Sequence, residues 1–258
     1  MPWEMLLFEV KNSVGVITLN RPDRLNALGS TLLRELDKLL DECEVDDGIR
    51  ALVLTGGPKV FCVGGDIKEM RAGKSMLDIP AAKLAPAVSR RLDTYVKPVV
   101  AAIRGAALGG GMEIALCCDL RVAAETASLG LAEIKLGLIP PYGTQYASRL
   151  AGPAVAKRLI FSGNPISADE AHRCGLVDVV VPPERCLEVA MEWATEFAER
   201  PPLAVQSAKK CINTGLQMDL QSALDYAMLA FANLAGTEDV QEGLRAFAEK
   251  RKPVFQGR

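Results

Sequence analysis

The chain has one histidine, His172, among its 258 residues. No metal site can be assembled from several imidazoles, and no Ser-His-Asp triad can draw on a second one. His172 itself stands in ADEAHRCGLVD at an expected helix end and reads as a structural or solvent-facing residue. Paired cysteines are missing too. The seven cysteines (43, 62, 117, 118, 174, 186, 211) form no C-x-x-C pair, are odd in number and are irregularly spaced. They read as buried, reduced thiols of a cytoplasmic protein. A basic excess is absent: 30 Lys and Arg face 32 Asp and Glu, for a net charge of −2. This argues against a nucleic-acid surface while leaving room for a local basic pocket that holds a phosphate-bearing ligand. No apolar run reaches the ~18 residues of a membrane span, and MPWEMLLFEVKN lacks the basic-then-apolar order of a signal peptide.

What the chain has is an ordinary globular composition, 49% apolar and 24% charged, long enough for a sizeable core without disulfide or metal staples. LLFEV (6–10) and VGVITLN (14–20) read as a hairpin. Residues 30–43 have helical periodicity, with Ser30 as the expected N-cap. Short β-rich runs at 51–57, 60–63, 97–105 and 120–126 alternate with glycine turns and helices, and a broken helical region fills 70–96. Beyond Gly152 helical patterns dominate, at 153–162, 167–173, 183–199, 202–215, 219–235 and 237–250, with one strand in 175–181. The reading is an α/β core over 1–195 followed by a helical region over 196–258.

Two stretches repeat the order strand, glycine turn, helix: VFCVGGDIKEM and VVAAIRGAALGGGMEIAL. Helix starts expose unpaired N–H groups and a positive dipole end, and glycine lets a ligand approach them. Neither stretch is a GxxxxGK[ST] or GxGxxG phosphate motif. Two such turns aimed at one oxygen would form an oxyanion hole; close helix–strand packing is the alternative. The second turn also carries Glu113 in an apolar run, either a helix-start carboxylate or a working group. A second carboxylate in an apolar setting, Glu133 in SLGLAEIKLGLIPPYG, suits acid–base chemistry beside a carbonyl if the two meet.

These residues resemble the crotonase (enoyl-CoA hydratase/isomerase) superfamily over nearly the whole chain. The likeness runs from VGVITLNRPDRLNAL through VLTGGPKVFCVGGDIKEM, KPVVAAIRGAALGGGMEIALCCDLRVA and LAEIKLGLIP to ISADEAHRCGLVD and EGLRAFAEKRKPVF. The resemblance implies a crotonase-like spiral of repeated ββα units, a C-terminal helical trimerisation region, and a homotrimer or dimer of trimers. It implies an acyl-CoA thioester as substrate, with no cofactor beyond the coenzyme A the substrate carries. It places the oxyanion donors at the amides of Gly65, where the family usually has alanine, and Gly110. Glu113 and Glu133 match the two glutamates of hydratases, Glu133 giving the α-carbon its proton and Glu113 activating the water. Coenzyme A contacts are implied for the backbone around Cys62, Gly64 and Asp66, for Lys68 and Arg24, and for Phe247 and Lys250 reaching a neighbouring subunit.

The same comparison marks two departures. The hydratase loop that reads like PGAGGTQ is here ProProTyrGlyThrGln (140–145), one residue shorter. It puts Pro141, which has no N–H, where a glycine amide helps hold the reacting water. Tyr142 or Gly143 replaces that donor, or the water is held differently, or the enzyme does other chemistry on the same enolate. Pro141 and Tyr142 are expected to line the substrate pocket. The second departure is Leu131-Ala132 before Glu133, where a proline is more usual. Retention of both glutamates favours hydration. The alternatives are an isomerase, or a hydratase or dehydratase for branched, cyclic or carnitinyl acyl groups. Near-neutral charge and the retained glutamates count against an RNA-binding module on this fold.

Overall fold

The computed structural model describes residues 3–73, 75 and 78–258. The N-terminal hairpin forms as expected: β1 (Leu6–Lys11) pairs antiparallel with β2 (Val14–Leu19). Helix α1 (Ser30–Val45) follows and buries Leu32, Leu33, Leu36, Leu39 and Leu40, the i, i+3, i+4, i+7 stripe of an amphipathic helix. Its N-cap is Gly29, not Ser30, which lies inside the helix. The Ser30 hydroxyl is instead bonded to the Glu69 carboxylate, and the Ser30 N–H donates to the same group at 2.9 Å. At the other end, the buried Lys97 ammonium donates to the carbonyls of Cys43 and Asp46, a cation where the helix dipole favours one.

From β3 onward the chain alternates between two sheets. β3 (Ala51–Thr55), β5 (Val99–Ile103) and β7 (Leu120–Ala124) lie in a six-stranded sheet ordered β1-β2-β3-β5-β7-β10, with β10 at Val179–Val181. Each is followed by a short strand of the second sheet: β4 (Val60–Cys62), β6 (Ala106–Leu108) and β8 (Ser128–Gly130). β9 (Ile166–Ser167) completes that sheet in the order β4-β6-β8-β9. The β3, β5 and β7 pairings are parallel and their residues are almost wholly buried, so they read as continuous apolar runs. The β4, β6, β8 and β9 strands have two or three residues each. Too short to show alternation, β6, β8 and β9 are not legible as strands in the sequence.

Helices fill the turns of this spiral: α2 (Ile67–Met70), α3 (Pro80–Asp93), α4 (Gly110–Cys117), α5 (Pro141–Ser162), α6 (Ala168–Arg173) and α7 (Cys186–Ala198). The expected helical region 70–96 is thus α3 alone, with residues 74, 76 and 77 outside the described ones. α5 starts well before the expected 153 and bends at Gly152, whose φ of 81° breaks the helix before Pro153. α7 packs on β2, β3, β5 and β7 and covers the outer face of the large sheet. The chain ends in α8 (Pro202–Gly215), α9 (Leu220–Leu234) and α10 (Glu238–Ala248).

α4 is the element that matters for chemistry. All its residues except Gly110 are buried, and it packs on α3, α5, β4 and β6. Gly111 is where α4 presses against β4: a Cβ there would stand 2.2 Å from the Cys62 carbonyl oxygen. Backbone cannot yield as a side chain does. Gly111→Ala is therefore expected to destabilise the protein by about 1–3 kcal/mol, read as a lower midpoint in chemical denaturation.

Candidate active site

Two glycine turns meet at one place. The first is Gly64–Gly65, after β4. Leu28 forms a parallel bridge with Gly65: the Leu28 N–H donates to Gly64 O at 2.8 Å, and the Asp66 N–H donates to Leu28 O at 3.4 Å. In this pattern the flanking residues make both bonds, so the bridge leaves the Gly65 N–H free to face the other way. The second turn is Gly109–Gly110. Gly110 is the first residue of α4, where an N–H has no intrahelical acceptor. The turns touch: a Cβ at Gly64 would lie 3.1 Å from Gly110 N.

The glutamates bracket the second turn. A Cβ on Gly109 would be 3.0 Å from Glu133 Oε1, and one on Gly110 would be 4.0 Å from Glu113 Oε2. Gly109 has φ 52° and ψ −130°, a conformation that side chains disfavour. It gives Glu133 both the space and the turn. Glu133 begins a 3-10 turn, Glu133–Leu136, just after β8.

Glu113 does not cap its own helix. Its Oε1 accepts the Gly143 N–H at 2.8 Å, and the Tyr142 amide also faces it. Both amides belong to the first turn of α5, so Glu113 caps the neighbouring helix at its positive end. Pro141 opens that helix, a position where a missing N–H costs nothing. The proline that stands in place of a donor thus starts a helix whose next two amides supply donors. Leu131 braces the arrangement: it is buried, and a Cβ on Gly143 would meet its methyls at 2.7 and 2.8 Å. Tyr142 stacks on Tyr146, with centroids 6.2 Å apart and planes 10° apart.

The two carboxyls sit in different environments. Burial pushes the Glu113 pKa up, and the Gly143 and Tyr142 amides partly offset it. Burial pushes Glu133 up to about 7, with the negative charge of Glu113 adding to the rise and its own backbone N–H opposing it. Glu133 Oε2 is buried and has no hydrogen-bond partner among the described residues. An unpartnered buried carboxyl oxygen is costly when charged. Between its ordinary 4.5 and about 7 the folded protein holds a proton that the unfolded chain has released, so folding stability falls as pH rises through that window. Glu133→Gln, which stays neutral, is expected to be more stable than the parent at pH well above 7 by about 1–2 kcal/mol, allowing for partial solvent screening. Denaturation at acidic pH should show that advantage gone.

The residues implied for coenzyme A fall into three groups. Cys62 is wholly buried; its thiol donates to Asn26 O at 3.0 Å and burial raises its pKa to about 12, so only its backbone is available to a ligand. The Asp66 carboxylate caps α2, accepting the Lys68 and Glu69 N–H groups, and pairs with Arg21 at 2.7 Å. Burial works against its charge, but Arg21 and the two amides outweigh it and hold its pKa below the usual value. Arg24 and Lys68 are exposed on the two segments joined by the Leu28–Gly65 bridge. Phe247 and Lys250 are exposed at the end of α10, which is not one of the elements packed on α4. His172 Nδ1–H donates to Val177 O at 3.1 Å, a structural contact.

Known proteins place this geometry. The family model described as "Enoyl-CoA hydratase/isomerase" matches residues 9–258, and the chain belongs to that family. It is 43% identical to the short-chain-enoyl-CoA hydratase of Clostridium acetobutylicum, over 96% of this chain and 95% of that one. It is 39% identical to the 2,3-dehydroadipyl-CoA hydratase of Escherichia coli, over 98% and 99%. Among solved structures, an enoyl-CoA hydratase from Bacillus anthracis superposes with a TM-score of 0.96 at 40% identity, covering 99% of this chain and all of that one. The α/β spiral is the crotonase fold. Among the described residues no helix is long and apolar enough to cross a membrane.

Proposed function

We propose that this protein is an enoyl-CoA hydratase, adding water reversibly across the α,β double bond of a 2-enoyl-CoA thioester. The observation that carries the reading is the pair of carboxyls, buried Glu113 and half-buried Glu133, bracketing the Gly109–Gly110 turn. The thioester oxygen sits between the Gly65 and Gly110 amides, which stabilise the enolate charge that builds as water adds. Glu113, whose carboxylate accepts from α5 at the Gly143 amide, takes a proton from the water as the water oxygen bonds the β-carbon. Glu133, protonated near pH 7, gives its proton to the α-carbon. Exchange with solvent then resets both groups. Nothing is oxidised or reduced, so the reaction needs only the coenzyme A that the substrate carries.

The backbone of Cys62, Gly64 and Asp66 runs along the pantetheine and adenine, with Arg24 and Lys68 near the phosphates. Pro141 and Tyr142 line the acyl pocket. Residues 196–258 form the assembly region of a homotrimer or dimer of trimers, from which Phe247 and Lys250 reach a neighbour's nucleotide. Leu220, Met228, Leu229, Phe231, Leu244 and Phe247 of this region are largely exposed in the single chain, as an assembly surface requires. The free cysteines fit a cytoplasmic location.

Incubation with a panel of enoyl-CoA thioesters, read by mass and NMR, tests the reading: products must gain one water, with the hydroxyl on the β-carbon. A shifted double bond without added mass means an isomerase instead. The pH profile follows from Glu133. Hydration uses its protonated form, so kcat/KM for hydration is expected to fall as pH rises through about 7.

A further inference from the structure

The segment before α1 touches both glycine turns. Its backbone bridges Gly65 through Leu28, and the Leu28 side chain reaches across to the other turn: a Cβ on Gly110 would lie 3.1 Å from Leu28 Cδ1. Leu28 is buried. One residue thus contacts the two positions whose amides must converge on a single oxygen.

Leu28 is held by a polar network one layer further out. The Arg21 guanidinium pairs with Asp66 Oδ2 at 2.7 Å and donates to Ala27 O at 3.1 Å. Asp66 follows Gly65 directly, and its other oxygen caps α2. Glu69 of α2 is bonded to Ser30 at the start of α1. Gly29 sits inside this cluster, where a Cβ would be 2.9 Å from Arg21 Nη1 and 3.2 Å from Glu69 Oε2. The inner end of the loop is locked as well: buried Asn26 accepts the Arg21 N–H at 2.8 Å and donates to Phe61 O at 3.0 Å. Leu25 and Asn26 have positive φ, 51° and 56°, a conformation that persists only where surroundings enforce it.

We propose that Arg21 and Leu28 are positioning residues of the oxyanion site: the Arg21–Asp66 ion pair clamps residues 21–29 to the 64–69 turn, and Leu28 so held is the spacer that sets the Gly65 and Gly110 amides relative to each other. This rests on the oxyanion role proposed for those amides. Neither residue touches the reacting atoms. Their effect is geometric, and displacing reacting or stabilising groups by about 1 Å can cost on the order of 10²-fold in rate.

The test pairs kinetics with a direct reading of carbonyl polarisation. Cinnamoyl-CoA is conjugated from ring to thioester, so donors on its thioester oxygen shift its absorption to longer wavelength. Arg21→Met and Leu28→Val are compared with the parent for kcat and KM on crotonyl-CoA, and for the band of bound cinnamoyl-CoA at saturation. Leu28→Val keeps the backbone bridge and shortens only the side chain, so it carries the test if Arg21→Met does not fold. The expected result is a smaller red shift in both variants and kcat lower by about 10- to 100-fold, with KM near the parent's. Arg21→Lys, which restores a positive charge beside Asp66, should recover part of the shift. A full red shift and parental kcat per folded molecule in either folded variant overturn the proposal. Parent protein that shifts the band of cinnamoyl-CoA but does not hydrate crotonyl-CoA overturns the hydratase reading alone, and the variants' shifts then decide this one. Parent protein that binds cinnamoyl-CoA with no shift overturns the oxyanion reading and this proposal with it.

Discussion

Glu133→Gln is expected to lower the hydration of crotonyl-CoA by about 10²- to 10⁴-fold, the usual worth of a positioned general acid. The amide has nearly the shape of the acid and fits the same space against Gly109, but it cannot release a proton to the α-carbon. Two features suggest that the loss will be chemical and not structural. Among the described residues, Glu133 Oε2 makes no hydrogen bond that the substitution would break. Its charge is moreover a cost to the fold above pH 7, so the variant should be at least as stable as the parent. Lower kcat with unchanged or raised melting temperature is the expected pair of results, from steady-state kinetics and thermal denaturation on the same preparation. Near-parental turnover would remove Glu133 from the mechanism.

Gly110→Pro should cost about 10²- to 10³-fold in kcat, the loss typical of one oxyanion donor. Proline is well tolerated as the first residue of a helix because that N–H has no intrahelical partner. The new Cβ meets first the Leu28 Cδ1 methyl, at 3.1 Å. The substitution therefore removes one amide hydrogen while leaving α4 able to form. Its contrast is Gly111→Ala, one residue on, which leaves every donor in place and damages packing against Cys62. Kinetics per folded molecule separates the two: Gly110→Pro lowers kcat in folded protein, and Gly111→Ala lowers the amount of folded protein.

Much of this was legible in the sequence because it is written in local pattern. The apolar stripe of α1, the continuous buried runs of β3, β5 and β7, and the glycine turns preceding α2 and α4 each carry their own signal. So does the conflict between glycine and carboxylate in GGGMEIAL, which resolves into a turn that makes room for Glu133 and a helix that presents Glu113. The strands β6, β8 and β9 left no such mark, since two or three residues show no period. Ser30 looked like an N-cap by type, yet Glu69, 39 residues away, claims its hydroxyl. The cap on α5 was equally invisible. Its acceptor is Glu113, on a different helix, and only tertiary structure joins them. That contact also explains ProProTyrGlyThrGln. Read against the family pattern, Pro141 removes a donor; in the fold it starts the helix whose Tyr142 and Gly143 amides face the carboxylate. The clamp around Arg21 left no mark either, because an arginine in a loop before a helix is ordinary until Asp66 is brought beside it.

The central claim is that one site adds water at the β-carbon while a carboxyl protonates the α-carbon. Conversion of crotonyl-CoA in D₂O, followed by mass spectrometry and NMR of the product, tests it most directly. The expected product is 3-hydroxybutyryl-CoA carrying deuterium at the α-carbon, formed by the parent protein and suppressed in Glu133→Gln. A product isomeric with crotonyl-CoA, its double bond moved and no water gained, would contradict it.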